Sequence, residues 1–242
     1  MLWNKKINLI FDLDETLVQM GKENFNNEGI HIKNNKYLFI RPGCKELLDY
    51  CFKKYQVSFW TSGSPKYCHR ILSIILTKNQ IKKTKVIICK YKKQFLELKT
   101  GKIYQPIKYY LDDEVISHYV KSLNLLWNIE DFNKTFSLYN TLIIDDNFFL
   151  EKINPSNYIK ITPWCRYSFN DDSLYRLQSW LDINIDILSK LRKKKKKLLL
   201  LTLVNSFELT DCIKEKMEPE NIEDIEKGNS YRCRENLLIT EI

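Results

Sequence analysis

Three short apolar runs, separated by long stretches of chain, constrain this sequence more than any other feature. The first, through Ile7, Leu9 and Ile10, stops at Phe11-Asp12-Leu13-Asp14. The second, Val57 to Trp60, ends in Thr61-Ser62-Gly63, and the third, Thr141 to Ile144, ends in Asp145-Asp146-Asn147. Apolar runs of this length bounded by turn formers read as buried strands. Each ending alone fits a turn or a cap. Carboxyl ends of parallel strands, however, share one edge of an open α/β sheet, and ligands gather there. The three endings therefore predict one convergent, oxygen-rich site.

The first ending is the most demanding. Strand alternation aims Asp12 and Asp14 the same way, whereas a cap needs one carboxylate. At an effective dielectric of about 20 and about 4 Å, two carboxylates repel by roughly 4 kcal/mol. A divalent cation or a lysine has to offset that, and Thr16 can tie the turn's backbone. Thr61 and Ser62, beside Gly63 and a helix starting near Pro65, could cradle phosphate oxygens; an N-cap accounts for them equally well. Asp145 and Asp146 add hard oxygen donors of the kind Mg²⁺ takes.

The stretch FDLDETLV resembles the first motif of the haloacid dehalogenase-like (HAD) superfamily of aspartyl phosphatases. With Glu15 after the second Asp it resembles the branch of small phosphatases acting on the C-terminal domain (CTD) of RNA polymerase II. Arg41-Pro42-Gly43 before a helix, Thr61 at a strand end, Lys121 in a Val-Lys-x-Leu setting, and Asp145-Asp146 followed by Trp164 continue the resemblance, over residues 7 to about 190. It implies an α/β HAD-like Rossmannoid three-layer sandwich, with a central parallel sheet, a flap hairpin after the first strand and a small β insertion. It also implies roles: Asp12 as nucleophile, Asp14 as general acid and base, and Thr61, Ser62 and Lys121 on the phosphate. Mg²⁺ would be held by Asp12, Asp14 through its backbone carbonyl, and Asp146, with Asp145 orienting the cluster and Thr16 supporting it. Lys108 is a rival for the lysine role.

The remaining chain fills in the outline. Ile30 to Ile32 and Tyr37 to Ile40 read as the flap hairpin, turning at Asn34-Asn35. Cys44 to Lys54, 66–76, 113–126 and 174–188 have helical spacing. Between them, 81–112 reads as a β insertion with strands at Val86 to Cys89, Phe95 to Leu98 and Ile103 to Tyr104. Its lysines and tyrosines interleave, which suits either nucleic acid or a solvated sheet face. Domain organisation follows as one phosphatase domain over 1–190, a basic then apolar segment over 191–204, and an acidic tail over 205–242, partly disordered in expectation.

Charge and cysteine usage exclude other classes. Net charge is +9, but 205–242 carries ten acids against five bases, net −5, which leaves +14 on the rest. A basic body favours anionic partners. Arg192 to Lys197 is six consecutive bases, a localisation signal, a nucleic-acid arm or a solvated helix end. Seven cysteines show no metal spacing and no Cys with an Arg six positions on, so a cysteine-nucleophile phosphatase is excluded and reduced thiols are expected. No leader and no apolar run near the ~20 residues of a membrane span is present, so the expectation is an intracellular protein, nuclear or cytoplasmic, without membrane contact. The expected activity is Mg²⁺-dependent hydrolysis of phosphoserine or phosphothreonine in a phosphorylated protein or peptide. Alternatives are a nucleic-acid-end or small-metabolite phosphatase, nucleic acid being less favoured as a partner, and an inactive binding module on the same fold.

Overall fold

The computed structural model describes residues 6–33, 36–107, 109–111, 114–117, 120–168, 170–194, 233–234 and 237–238. In chain order the elements are β1 (Asn8–Phe11), β2 (Val18–Gly21), β3 (Ile30–Lys33), β4 (Lys36–Ile40), α1 (Cys44–Lys54) and β5 (Gln56–Thr61). Then come α2 (Pro65–Ile75), α3 (Lys78–Lys83), β6 (Ile87–Tyr91), β7 (Gln94–Glu97), β8 (Ile103–Tyr104), β9 (Tyr109–Leu111) and β10 (Glu114–Ser117). Next are α4 (Asn124–Asn128), α5 (Glu130–Asn133), β11 (Thr141–Asp145), α6 (Phe149–Ile153), β12 (Tyr158–Lys160) and α7 (Ser173–Lys194), and the order closes with β13 (Cys233–Arg234) and β14 (Leu237–Leu238).

A seven-stranded sheet runs in the order β12-β11-β1-β5-β6-β7-β8, parallel from β12 to β6 and antiparallel beyond. Alternation along each strand feeds two cores. Leu9, Phe11, Val57, Phe59, Leu142 and Ile144 meet Leu47, Leu48, Ile71, Leu174 and Leu177 from α1, α2 and α7 on one face. Ile10, Trp60, Ile88 and Ile143 meet Leu125, Leu126, Phe132 and Leu150 from α4, α5 and α6 on the other. The result is the helix-sheet-helix layering expected from the sequence. Each fully buried Leu, Ile or Phe contributes roughly 1.5–3 kcal/mol, and Phe11 at the end of β1 is fully buried.

The flap is larger than the hairpin alone. β3 and β4 pair antiparallel, and β2, continuing from the first motif, pairs with β4 to make three strands; Asn34-Asn35 lies outside the described residues. The expected insertion is also built differently: β6, β7 and β8 are hydrogen-bonded into the main sheet as its edge. A separate ribbon, β9 with β10, occupies part of the span read as a helix over 113–126. Val115 and Ile116 are β-branched, and that propensity prevailed over the apolar spacing.

Cys44, Cys51, Cys68 and Cys89 are buried free thiols, as expected. Cys165 departs from that expectation and is disulfide-bonded. Among the described residues, no helix is long and apolar enough to cross a membrane. The basic run is described only as far as Lys194, and the acidic tail falls almost wholly outside the described residues.

Candidate active site

The in-register pairing of β1 with β5 and β11 delivers the three sequence endings to one place. Phe11 lies opposite Phe59 on one side and Ile144 on the other, and the Asp12 N–H donates to the Ile144 carbonyl at 3.0 Å. Asp12, Asp145 and Asp146 each bring a carboxylate oxygen within 4.8 Å of the others. Asp145 is fully buried and Asp12 nearly so. Lys121 sits between them, its Nζ 2.7 Å from Asp12 Oδ1 and 2.6 Å from Asp145 Oδ2.

Lys121 is not on a helix. It lies in the loop before α4, and Asn154 holds that loop: Asn154 Nδ2 donates to the Lys121 carbonyl at 3.0 Å, and its Oδ1 accepts the Leu123 N–H at 2.9 Å. Sequence reading missed Asn154, since a lone Asn near a helix end signals only a cap. Lys108 lies outside the described residues.

Asp145 is pinned by more than the lysine. Its Oδ1 accepts the Asn147 N–H at 2.9 Å, and its backbone carbonyl accepts the Tyr158 hydroxyl at 3.1 Å. Thr16 Oγ1 donates to Asp146 Oδ1 at 3.1 Å, so this hydroxyl orients a carboxylate rather than its own turn. The turn after Asp14 passes through Glu15 in the left-handed region, φ 58°. A non-glycine residue there costs about 1–3 kcal/mol, so the surroundings must hold it. Trp164 N–H donates to the Glu15 carbonyl at 2.7 Å, and Arg41 Nη1 donates to the carbonyls of Glu15 and Thr16 at 3.3 and 3.1 Å. Arg41 is itself buried and paired through Nε with Asp171 Oδ2 at 2.6 Å. The Arg-Pro-Gly sequence thus braces the motif through its arginine.

The Asp14 carboxylate stands apart from the three-carboxylate group. Thr61 Oγ1 is 3.5 Å from Asp14 Oδ2, and the Tyr67 hydroxyl donates a short hydrogen bond to Asp14 Oδ1. Ser64 N-caps α2, accepting the Tyr67 N–H at 3.3 Å, which sets the ring's position. Gly63 leaves room for it: a Cβ there would lie 2.5 Å from Tyr67 Cδ1. Thr61 is buried and accepts the Gly63 N–H at 2.9 Å, while Ser62 is exposed in the turn. No sequence pattern singled out Tyr67.

Electrostatics follow from burial. Desolvation raises the Asp12 carboxyl well above the usual range, Asp145, Asp146 and Asp14 add to this, and Lys121 opposes it. Asp14 is raised chiefly by burial, against the hydrogen bond from Tyr67. Burial and Asp145 push Asp146 up to about 6. Burial alone would lower Lys121, but Asp12 and Asp145 more than offset it, so its ammonium is held firmly. One lysine against three clustered carboxylates leaves an excess of negative charge on hard oxygen donors, and that donor set suits a divalent cation.

The profile of the NLI interacting factor-like phosphatases matches residues 7–192. This chain belongs to that family. The family makes it a phosphatase. Among its relatives is CTD phosphatase-like protein 355R of Invertebrate iridescent virus 3, 25% identical over 199 residues, covering 74% of this chain and 97% of the relative. The 355R protein of Invertebrate iridescent virus 6 is 25% identical over 185 residues, covering 69% and 90%. Fission yeast RNA polymerase II CTD phosphatase Fcp1 bound to beryllium fluoride superposes with a TM-score of 0.43 and 17% identity. That alignment covers 92% of this phosphatase and 62% of the Fcp1 chain.

Proposed function

We propose that this phosphatase hydrolyses phosphoserine or phosphothreonine in protein substrates resembling the polymerase C-terminal domain, through a phosphoryl group carried on Asp12. The observation that carries the reading is the Lys121 ammonium between Asp12 and Asp145, with Asp146 alongside. Phosphate monoester hydrolysis is slow enough uncatalysed that enzymes accelerate it by up to roughly 10²¹-fold. Splitting the reaction through a covalent intermediate lowers each barrier.

An Asp12 carboxylate oxygen attacks phosphorus in line as the bond from phosphorus to the serine or threonine oxygen breaks. The leaving oxygen takes a proton from Asp14, whose carboxyl burial raises above its ordinary value. Asp14 then removes a proton from water, water oxygen bonds to phosphorus, and the bond to Asp12 breaks to release inorganic phosphate. Tyr67 and Thr61 hold the Asp14 carboxyl in reach, and Lys121 and Thr61 bind phosphoryl oxygens as charge redistributes. Asp12, Asp146 and the Asp14 carbonyl would hold Mg²⁺, with Asp145 orienting them, and the bound ion would neutralise charge at the phosphoryl oxygens. Ser62, exposed beside Thr61, lines the approach to them.

A panel of phosphopeptides, 3′-phosphorylated oligonucleotides and sugar phosphates, each assayed with and without Mg²⁺, tests this. Metal-dependent turnover of the phosphopeptides is expected. Turnover of the oligonucleotides alone would overturn the protein-substrate reading.

A further inference from the structure

The amino-terminal edge of the sheet, opposite the carboxylates, holds a cavity of about 780 Å³ where β1, β5 and β6 begin. Six lysines line it: Lys6, Lys53, Lys82, Lys83, Lys85 and Lys99. All six are exposed, and among the described residues none is paired with a carboxylate. The lining's one acid, Asp49, accepts a hydrogen bond from Gln80 Nε2 at 2.7 Å.

A structural explanation accounts for part of this charge. Lys53 and the pair Lys82 and Lys83 lie in the last turns of α1 and α3, where cations offset the helix dipole. Lys6 Nζ reaches the Lys53 carbonyl at 3.5 Å, and Lys99 Nζ donates to the carbonyls of Lys82 and Thr84. Two helix ends carry together about one negative charge. With Asp49 counted, an excess of about four positive charges remains around one concave surface.

α7 extends the same end. Gly43 and Tyr175 are adjacent at one end of the α1 and α7 pair, and Tyr55 donates to the Leu181 carbonyl at the other, so the helices run side by side. From Leu181 α7 continues to Lys194, about 20 Å further at 1.5 Å per residue, and leads into the Arg192 to Lys197 run.

We infer that this groove binds the phosphodiester backbone of single-stranded nucleic acid. The lining is concave, and a flexible single strand can follow it more closely than a stiff duplex can. A peptide would need apolar pockets for its side chains, and the lining has no aliphatic residue. Phe52 offers one stacking face, and lysine point charges suit phosphates irrespective of sequence.

Anisotropy of a fluorescein-labelled deoxythymidine 12-mer, titrated with the full chain at several salt concentrations, tests the assignment. Single strands follow a slope of log K against log salt of about −0.7 per phosphate neutralised. Lys82→Ala/Lys83→Ala/Lys85→Ala should weaken binding at least about 10-fold in 50 mM salt and reduce the slope's magnitude by about 2. Aryl phosphate hydrolysis by the same variant should stay at wild-type level, which also shows that it folds. An unchanged slope, or equal competition by poly-glutamate of matched charge, overturns the inference. So does complete loss on neutralising 192–197 with the lysine triple unaffected.

Discussion

The two edges of one sheet carry opposite charge under opposite rules. At the carboxyl edge Asp12, Asp145 and Lys121 are buried, and Lys121 bridges the two carboxylates at hydrogen-bonding distance. At the amino edge six lysines face solvent around a cavity. Buried charge is costly unless paired, so that edge is specified atom by atom, down to the Asn154 clamp on the Lys121 loop. Exposed charge is screened and interchangeable, so the other edge needs only density. Damage to one lysine should therefore be grave at one edge and slight at the other.

The largest expected effect is chemical. Asp12→Asn should lower kcat on an aryl phosphate by at least about 10³-fold while the circular dichroism of the fold persists; comparable rates in the two proteins would remove Asp12 from its role. Next is Lys121→Met, which strands Asp12 and Asp145 together. Breaking a buried pair costs about 3–5 kcal/mol, and at about 2–4 °C per kcal/mol the melting temperature should drop by about 10 °C. The lysine triple at the amino edge should move it by no more than about 2 °C, and equal shifts at both edges would erase the contrast drawn above.

Tyr67→Phe sharpens the picture within the pocket. It removes the donor on Asp14 and little volume, so kcat should decrease about 10- to 100-fold with the melting temperature almost unchanged. A change confined to KM would place Tyr67 on the substrate instead. The smallest effect belongs to Lys102 and Asp131, an ion pair 2.7 Å apart on the exposed surface. Asp131→Asn should leave thermal unfolding indistinguishable from wild type.

What could be read ahead of the coordinates was the part governed by strand endings. β1, β5 and β11 end where the apolar runs end, and register alone then brings Asp12, Thr61, Asp145 and Asp146 to one edge. Lys121 was legible as a residue but not as a position, because Val115, Ile116, Val120 and Leu123 mimic helical spacing while the chain forms a ribbon and a loop. Tyr67, Asn154 and the Arg41 to Asp171 pair were invisible. Their value lies in contacts across 53, 33 and 130 residues of separation, which no local pattern encodes. The edge strands β6 to β8 were found, but which sheet they join depends on β5 pairing with β6, a tertiary fact.

Sheet order has a consequence for synthesis. β1 precedes the other strands of its sheet in the chain and becomes the middle one of the five parallel strands, with β11, some 130 residues later, as its neighbour. At about 5–20 residues per second, β1 waits roughly 7 to 26 seconds with one hydrogen-bonding edge unpaired. Until β11 arrives, that edge is open to pairing with another chain, the hazard that holding chaperones cover.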